Sequence, residues 1–331
     1  MIFRLIVLLL PIFAFCYEGF EKEQEPIKPW FTGPLLASSG NIVPVGHVNF
    51  EPYVYAIART SFYNNDWKSD PIDTLWNLQF RTPLWIGITE WADIKMVPGW
   101  NWSERNGVSQ WTWADFGLQL DISLHKDSLP YKNWYPSVKL SIRENFPTGK
   151  YQNLDPNKFG TDGGGKGCYT TFFALCASKL IQVYDVHFLN LFFDVVYGIP
   201  TKVHVKGFNA YGGGFGTDGV VTPEQTVFAV FAFEYSLTRN WAIACDVQAT
   251  FVSSTGFEGN PGRVPADDPD VEPLGIPAQN DFQAGVQYTL APAIEYNWSQ
   301  NLGLIAGAWF SFAGKNASHF TSGVIALNYY H

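Results

Sequence analysis

The sequence predicts an all-β chain: a transmembrane antiparallel β-barrel of about twelve strands. Three observations carry that expectation. Strict alternation recurs along the chain, most cleanly from Asp115 to Leu124, where Phe116, Leu118, Leu120 and Ile122 fall on one side and Asp115, Gly117, Gln119 and Asp121 on the other. Successive side chains of a strand point to opposite faces, so such a strand has one oily face and one wet face. The composition is poor in ions, 15% charged, and rich in rings, with 13 Trp, 16 Tyr and 27 Phe; a barrel places rings of this kind at its two membrane interfaces. Long joints rich in Gly, Pro and Asn (about 98–114, 146–167, 199–223 and 253–280) mostly alternate with tight ones at Thr89-Glu90, Tyr184-Asp185, Thr238-Arg239-Asn240 and Ser299-Gln300-Asn301. Long loops on one rim and hairpin turns on the other is the asymmetry of an outer-membrane barrel.

The first 16 residues have the form of a signal peptide: Arg4 supplies the positive region, Leu5 to Phe13 the apolar one, and Ala14-Phe15-Cys16 the small residues read by a signal peptidase. The rival reading, a lipidated Cys16, fits Phe13 and Phe15 poorly. Residues 17–46, rich in Glu, Pro and Gly, are expected to form a periplasmic lead-in, and whether it enters the lumen as a plug is left open. The barrel is assigned to residues 47–331. Its strands are expected at His47–Phe62, Leu75–Gly87, Trp91–Val97, Asp115–Leu124, Pro136–Asn145, Tyr169–Val183, Val186–Gly198, Thr226–Leu237, Trp241–Val252, Phe282–Tyr296, Leu302–Phe312 and Phe320–Tyr330, with Pro52 as a flaw in the first. Past the signal no apolar run is long enough for a spanning helix. A formal charge of −9 offers no basic patch, so nucleic acid is not an expected partner. Cys168 and Cys176, placed on one strand about 26 Å apart, cannot bridge each other and read as small apolar fillers.

Several motifs suggest chemistry and are better explained without it. Gly160-Thr161-Asp162-Gly163-Gly164-Gly165-Lys166 matches most of a phosphate-cradling loop, but Gly167 stands where Ser or Thr should be and a strand follows in place of a helix. Gly214-Phe215-Gly216-Thr217-Asp218-Gly219 spells a dinucleotide fingerprint without the flanking strand and helix. Asp267, Asp268, Asp270 and Glu272 read as a solvated acidic loop more readily than as a cation site. His319 and Ser322 suggest a base and nucleophile acting on lipid, yet residues three apart in a strand face opposite sides. No catalytic residue, cofactor or metal site is therefore expected.

The segment Arg143-Glu144-Asn145-Phe146-Pro147-Thr148-Gly149, at a strand end before a Gly-rich loop, resembles the signature of the outer-membrane family named for the MetA pathway of phenol degradation. Pro29-Trp30-Phe31-Thr32-Gly33-Pro34 and Gly46-His47-Val48-Asn49-Phe50-Glu51-Pro52-Tyr53 resemble the same family. One departure is His331, which follows Tyr330 where such barrels usually end in an aromatic residue. The resemblance implies a transport barrel and assigns no functional residues.

The inward face is then expected to carry Glu51, Asp93, Asp115, Asp121, Asp194, Glu234, Asp246 and Glu295 beside Arg59, Arg81, Lys95, Lys139 and Arg143. Two readings stay open: these groups pair and fill a narrow interior, or they border a water path and set its selectivity. The carboxylate excess predicts a mild preference for cations. Tyr53, Tyr55 and Phe228 beside those charges would suit small aromatic solutes, an expectation that leans on the resemblance. The expected function is a passive outer-membrane channel or facilitator, its partners the outer-membrane lipid, the barrel assembly machinery and a small-molecule solute. The alternatives are a lipid-acting enzyme, a surface adhesin or structural barrel, and, at the level of fold, a periplasmic β-sandwich.

Overall fold

A computed structural model describes residues 28–127, 133–265 and 275–331. The first four barrel strands are each interrupted: β1 (Val48–Phe50) and β2 (Tyr53–Tyr63) at Glu51-Pro52, β3 (Ser69–Arg81) and β4 (Leu84–Thr89) at Thr82-Pro83, β5 (Ala92–Val97) and β6 (Gly99–Arg105) at Pro98, and β7 (Val108–Trp113) and β8 (Phe116–His125) at Ala114-Asp115. Then come β9 (Ser137–Phe146), β10 (Thr170–Tyr184), β11 (His187–Pro200), the short β12 (Val203–Lys206) and β13 (Asp218–Thr222), β14 (Thr226–Ser236) and β15 (Trp241–Val252). The short β16 (Gly256–Asn260), β17 (Arg263–Val264) and β18 (Ile276–Pro277) precede β19 (Gly285–Ser299), β20 (Leu302–Lys315) and β21 (Ala317–Tyr330). The main sheet has 16 strand pieces, twelve strands when the interrupted ones are counted once, and every pairing in it is antiparallel. It closes because β21 pairs back onto both β1 (Asn49 opposite Tyr330) and β2 (Tyr53 opposite Ala326).

The four interruptions lie side by side and form a crease. Proline donates nothing to a ladder, so each of Pro52, Pro83 and Pro98 ends one pairing and lets the next start at a new angle. Here the structure corrects the joint expected at 98–114. Pro98 and Ala114-Asp115 bend strands rather than end them, and Trp100-Asn101-Trp102-Ser103 alternates as a strand should, its Asn101 and Ser103 buried. The turn of that hairpin is Asn106-Gly107 alone. Tight turns at 64–68, 106–107 and 316 therefore share a rim with the long connections 147–169, 201–225 and 253–284. The contrast between rims comes from those three loops.

The outer edge of β7 has no strand partner among the described residues, and the motif after Arg143 fastens the chain there. Thr148 Oγ1 donates to the Ala114 carbonyl (2.9 Å) and accepts from the Phe116 N–H (3.0 Å), while Asp115 accepts from the N–H groups of Gly149 (2.9 Å) and Lys166 (2.8 Å). Gly164 and Gly165 thus pack against the crease, at Thr112-Trp113 and at Asp115, and Lys166 pairs with Glu224 at 2.5 Å. Gly214–Gly219 leads into β13, which joins β12 and β16 over a small core of Cys168, Val203, Val205, Tyr211 and Val221. Cys168 lies just ahead of β10, not on it. The expected signal peptide and the acidic cluster at 267–272 lie outside the described residues.

Burial is inverted relative to a water-soluble protein. Glu234, Asp246 and Glu295 are 0% exposed, whereas Phe193 is 52% and Phe231 50% exposed. Exposed Trp91, Tyr184, Trp241, Trp298 and Tyr329 ring the short-turn rim, and Trp76, Trp111, Trp113 and Tyr169 stand toward the other. Apolar side chains flanked by two aromatic girdles form the outer surface of a barrel that lies in lipid.

Candidate functional site: the bore and its strap

Residues 28–46 run inside the barrel. This strap enters beside the 237–240 turn, where the Arg239 guanidinium lies 4.3 Å over the Trp30 ring and the Trp30 N–H donates to the Arg239 carbonyl (3.0 Å). It then follows the wall and offers its backbone N–H groups to one inward carboxylate after another. Thr32 N donates to Glu295 (2.8 Å) and Gly33 N to Glu234 (2.7 Å). Leu35, Leu36 and Ala37 all donate to Asp246, at 3.1, 3.2 and 2.9 Å. Ser38 N donates to Asp194 (2.6 Å), Gly40 N to the Ser178 hydroxyl (3.0 Å) and Val43 N to Asp93 (2.6 Å).

Side-chain size lets the strap lie this close. Leu35 is buried among Ala244, Ala291, Ile305, Val324 and Ala326, where the three alanines leave a shelf on the inner wall. A Cβ at Gly40 would overlap the Ser137 carbonyl, and one at Gly87 would overlap the carbonyl of Pro44, so glycine is needed at both contacts. The strap's N–H groups do the electrostatic work: N–H dipoles aimed at a carboxylate donate strong charge-assisted hydrogen bonds in a water-poor setting.

Above the strap remains a cavity of about 770 Å³. Eight of the residues expected to face inward line it: Glu51, Arg81, Asp93, Lys95, Asp115, Lys139, Arg143 and Asp194. Glu234, Asp246 and Glu295 lie under the strap, outside the cavity lining. Asp121 is fully buried and paired with Lys139 at 3.3 Å, with Ser141 and Gln119 also donating to it. Arg59 sits higher, opposite Leu75 and Phe320, and does not line the cavity. Arg81 bonds to the carbonyls of Phe80 and Trp100 and to Asn101 and Gln79. Glu51 accepts from Asn49, Tyr53 and Asn328. The wall also carries aromatic side chains, Tyr53, Tyr55, Trp85, Phe172, Phe228 and Trp309 among them. Ser322 Oγ donates to the Gly323 carbonyl and His319 packs edge-on to Tyr63, so these two make no nucleophile and base pair.

Sequence reasoning leaves out the strap's part in this site, and a signal for it exists. Strands β11, β14, β15 and β19 carry Asp194, Glu234, Asp246 and Glu295 on the inner face and contain no Lys or Arg. Buried carboxylates without cations require other donors, and the nearest unassigned donors in the chain are the N–H groups of its own amino-terminal segment.

No family model and no curated protein matches the chain. Among solved structures, the translocator domain of the autotransporter NalP from Neisseria meningitidis aligns with a TM-score of 0.43 at 11% identity over 86% of this chain and 87% of that one. The Pseudomonas putida toluene transporter TodX aligns at 0.35 and 8% identity, over 87% and 90%. The COG4313 outer membrane channel from Pseudomonas putida F1 aligns at 0.61 and 13% identity over 87% of this chain and 97% of that one, so this chain shares that barrel's fold.

Proposed function

We propose that the chain is an outer-membrane channel through which small solutes pass by diffusion, with no chemical step, and that its amino-terminal strap narrows the bore. The observation that carries this reading is the cavity left above the strap, walled by both charged and aromatic side chains inside a barrel whose outer surface suits lipid. A twelve-stranded barrel is wider than the eight-stranded ones that side chains fill and narrower than the open porins, so one added segment is enough to set its aperture. The family resemblance carried by residues 143–149 supports aromatic compounds among the solutes. In keeping with this reading, the membrane lipid and the barrel assembly machinery are its partners.

The test is solute uptake into liposomes carrying the purified protein, run with sugars, amino acids, ions and phenolics. Small solutes are expected to enter at rates linear in concentration gradient and to be cut off by size. Absence of flux for every solute, with folded protein confirmed by a gel mobility that changes on boiling, would favour a structural or adhesive barrel. Release of fatty acid from the liposome lipid would favour an enzyme.

A further inference from the structure

An inner-wall row running across five adjacent strands has a composition that the channel reading does not use. By cross-strand register Trp85 stands opposite Lys95, Lys95 opposite Gln119, Gln119 opposite Arg143 and Arg143 opposite Phe172. Two cations therefore sit two strands apart, roughly 10 Å between backbones, each next to a ring. The Lys95 ammonium lies 4.5 Å from the Trp85 centroid, and the Arg143 guanidinium 4.5 Å from that of Phe172.

By formal charge the cavity wall balances, with Glu51, Asp93, Asp115 and Asp194 set against Arg81, Lys95, Lys139 and Arg143. Hydrogen-bonding capacity does not balance. Asp93 and Asp194 accept from the strap and Asp115 from two loop N–H groups, and Glu51 accepts from three neutral side chains. Asp93 and Asp194 each keep one oxygen without a partner, but at 0% and 3% exposure they present almost no surface to the open space. Arg81 is satisfied by four neutral acceptors and Lys139 by Asp121. Lys95 and Arg143 are half-buried, make no ion pair among the described residues, and the Arg143 Nε has no hydrogen-bond partner. A ring face attracts a cation and leaves its N–H groups free for an anion.

We propose that this cavity is a binding site for a small aromatic carboxylate, its anionic group held between Lys95 and Arg143 and its ring against the aromatic wall. The proposal rests on the channel reading and names the solute class. It also runs against the cation preference expected from the carboxylate excess, because five of those eight carboxylates hold the strap. Bidentate pairing of a carboxylate with Arg143 would supply orientation, Lys95 a second charge, and a volume of about 770 Å³ admits a single-ring acid readily.

The test is calorimetric titration of the purified full-length protein in detergent with benzoate, benzyl alcohol, benzylamine and acetate, on the native chain and on Arg143→Gln and Lys95→Met. Benzoate is expected to bind at least tenfold more tightly than the other three, and each substitution to weaken it about tenfold. Equal or tighter binding of benzylamine, or benzoate binding unaffected by both substitutions, would overturn the proposal; so would no benzoate binding by protein whose gel mobility still changes on boiling. Binding is read without flux, so benzoate binding by a protein that conducts nothing would leave the site standing and remove the channel.

Discussion

Deleting residues 29–45 is expected to raise single-channel conductance in planar bilayers several-fold and to make the bore select cations. The strap holds Leu35 on the inner shelf and occupies the acceptors of five inward carboxylates. Without it, water enters along the wall and Asp93, Asp194, Glu234, Asp246 and Glu295 face the path directly. Four of these lie on strands with no cation, so the exposed field is negative. Burial of one Leu is worth about 2 kcal/mol, a loss that a closed barrel with its complete ladder of pairings can bear. The deletion protein should therefore still shift on gels when boiled. Folded deletion protein with unchanged conductance would mean that the strap does not limit the path.

Asp246→Ala is expected to free the strap while leaving the barrel intact. One carboxylate accepts from three consecutive strap N–H groups, more than any other residue of the wall. A bond to a charged group contributes about 1.5–3 kcal/mol. Water replaces part of this when the strap lifts, so a net loss of roughly 2 kcal/mol is reasonable for the three together, or about thirtyfold in the ratio of seated to lifted strap. In single-channel records this appears as frequent excursions to the high conductance of the deletion protein. Asp246→Asn keeps one acceptor oxygen and should fall between. Records of Asp246→Ala indistinguishable from the native chain would show that these bonds do not hold the strap.

The fold was largely legible because its physical cause is local. Alternation along β8, β9 and β14 reports directly which side chains meet lipid, and tight turns such as Thr238-Arg239-Asn240 mark where strands reverse. The crease was not, since Pro98 in isolation ends a strand as readily as it bends one; only its alignment with Pro52 and Pro83 on neighbouring strands, a matter of register, tells the two apart. For the bore, the inward residues could be named by parity, but their partners could not. Asp246 bonds to Leu35–Ala37, some 210 positions away, and the donors are backbone groups that every residue but proline owns. Residue identity is silent about such contacts. The same gap bears on the selectivity expectation, which counts carboxylates by parity and is silent about the strap N–H groups that five of them accept from.

The most direct test of an occluding strap uses Ser39 and Ser178, whose hydroxyl oxygens lie 3.4 Å apart. Ser39→Cys and Ser178→Cys are combined with Asp246→Ala in a chain whose Cys168, Cys176 and Cys245 are changed to Ala, and conductance is recorded before and after reduction. The account predicts that the oxidised protein stays at the low native level and that reductant restores the frequent excursions to the high level of the deletion protein. High conductance with the disulfide formed, or no response to reduction, would contradict it.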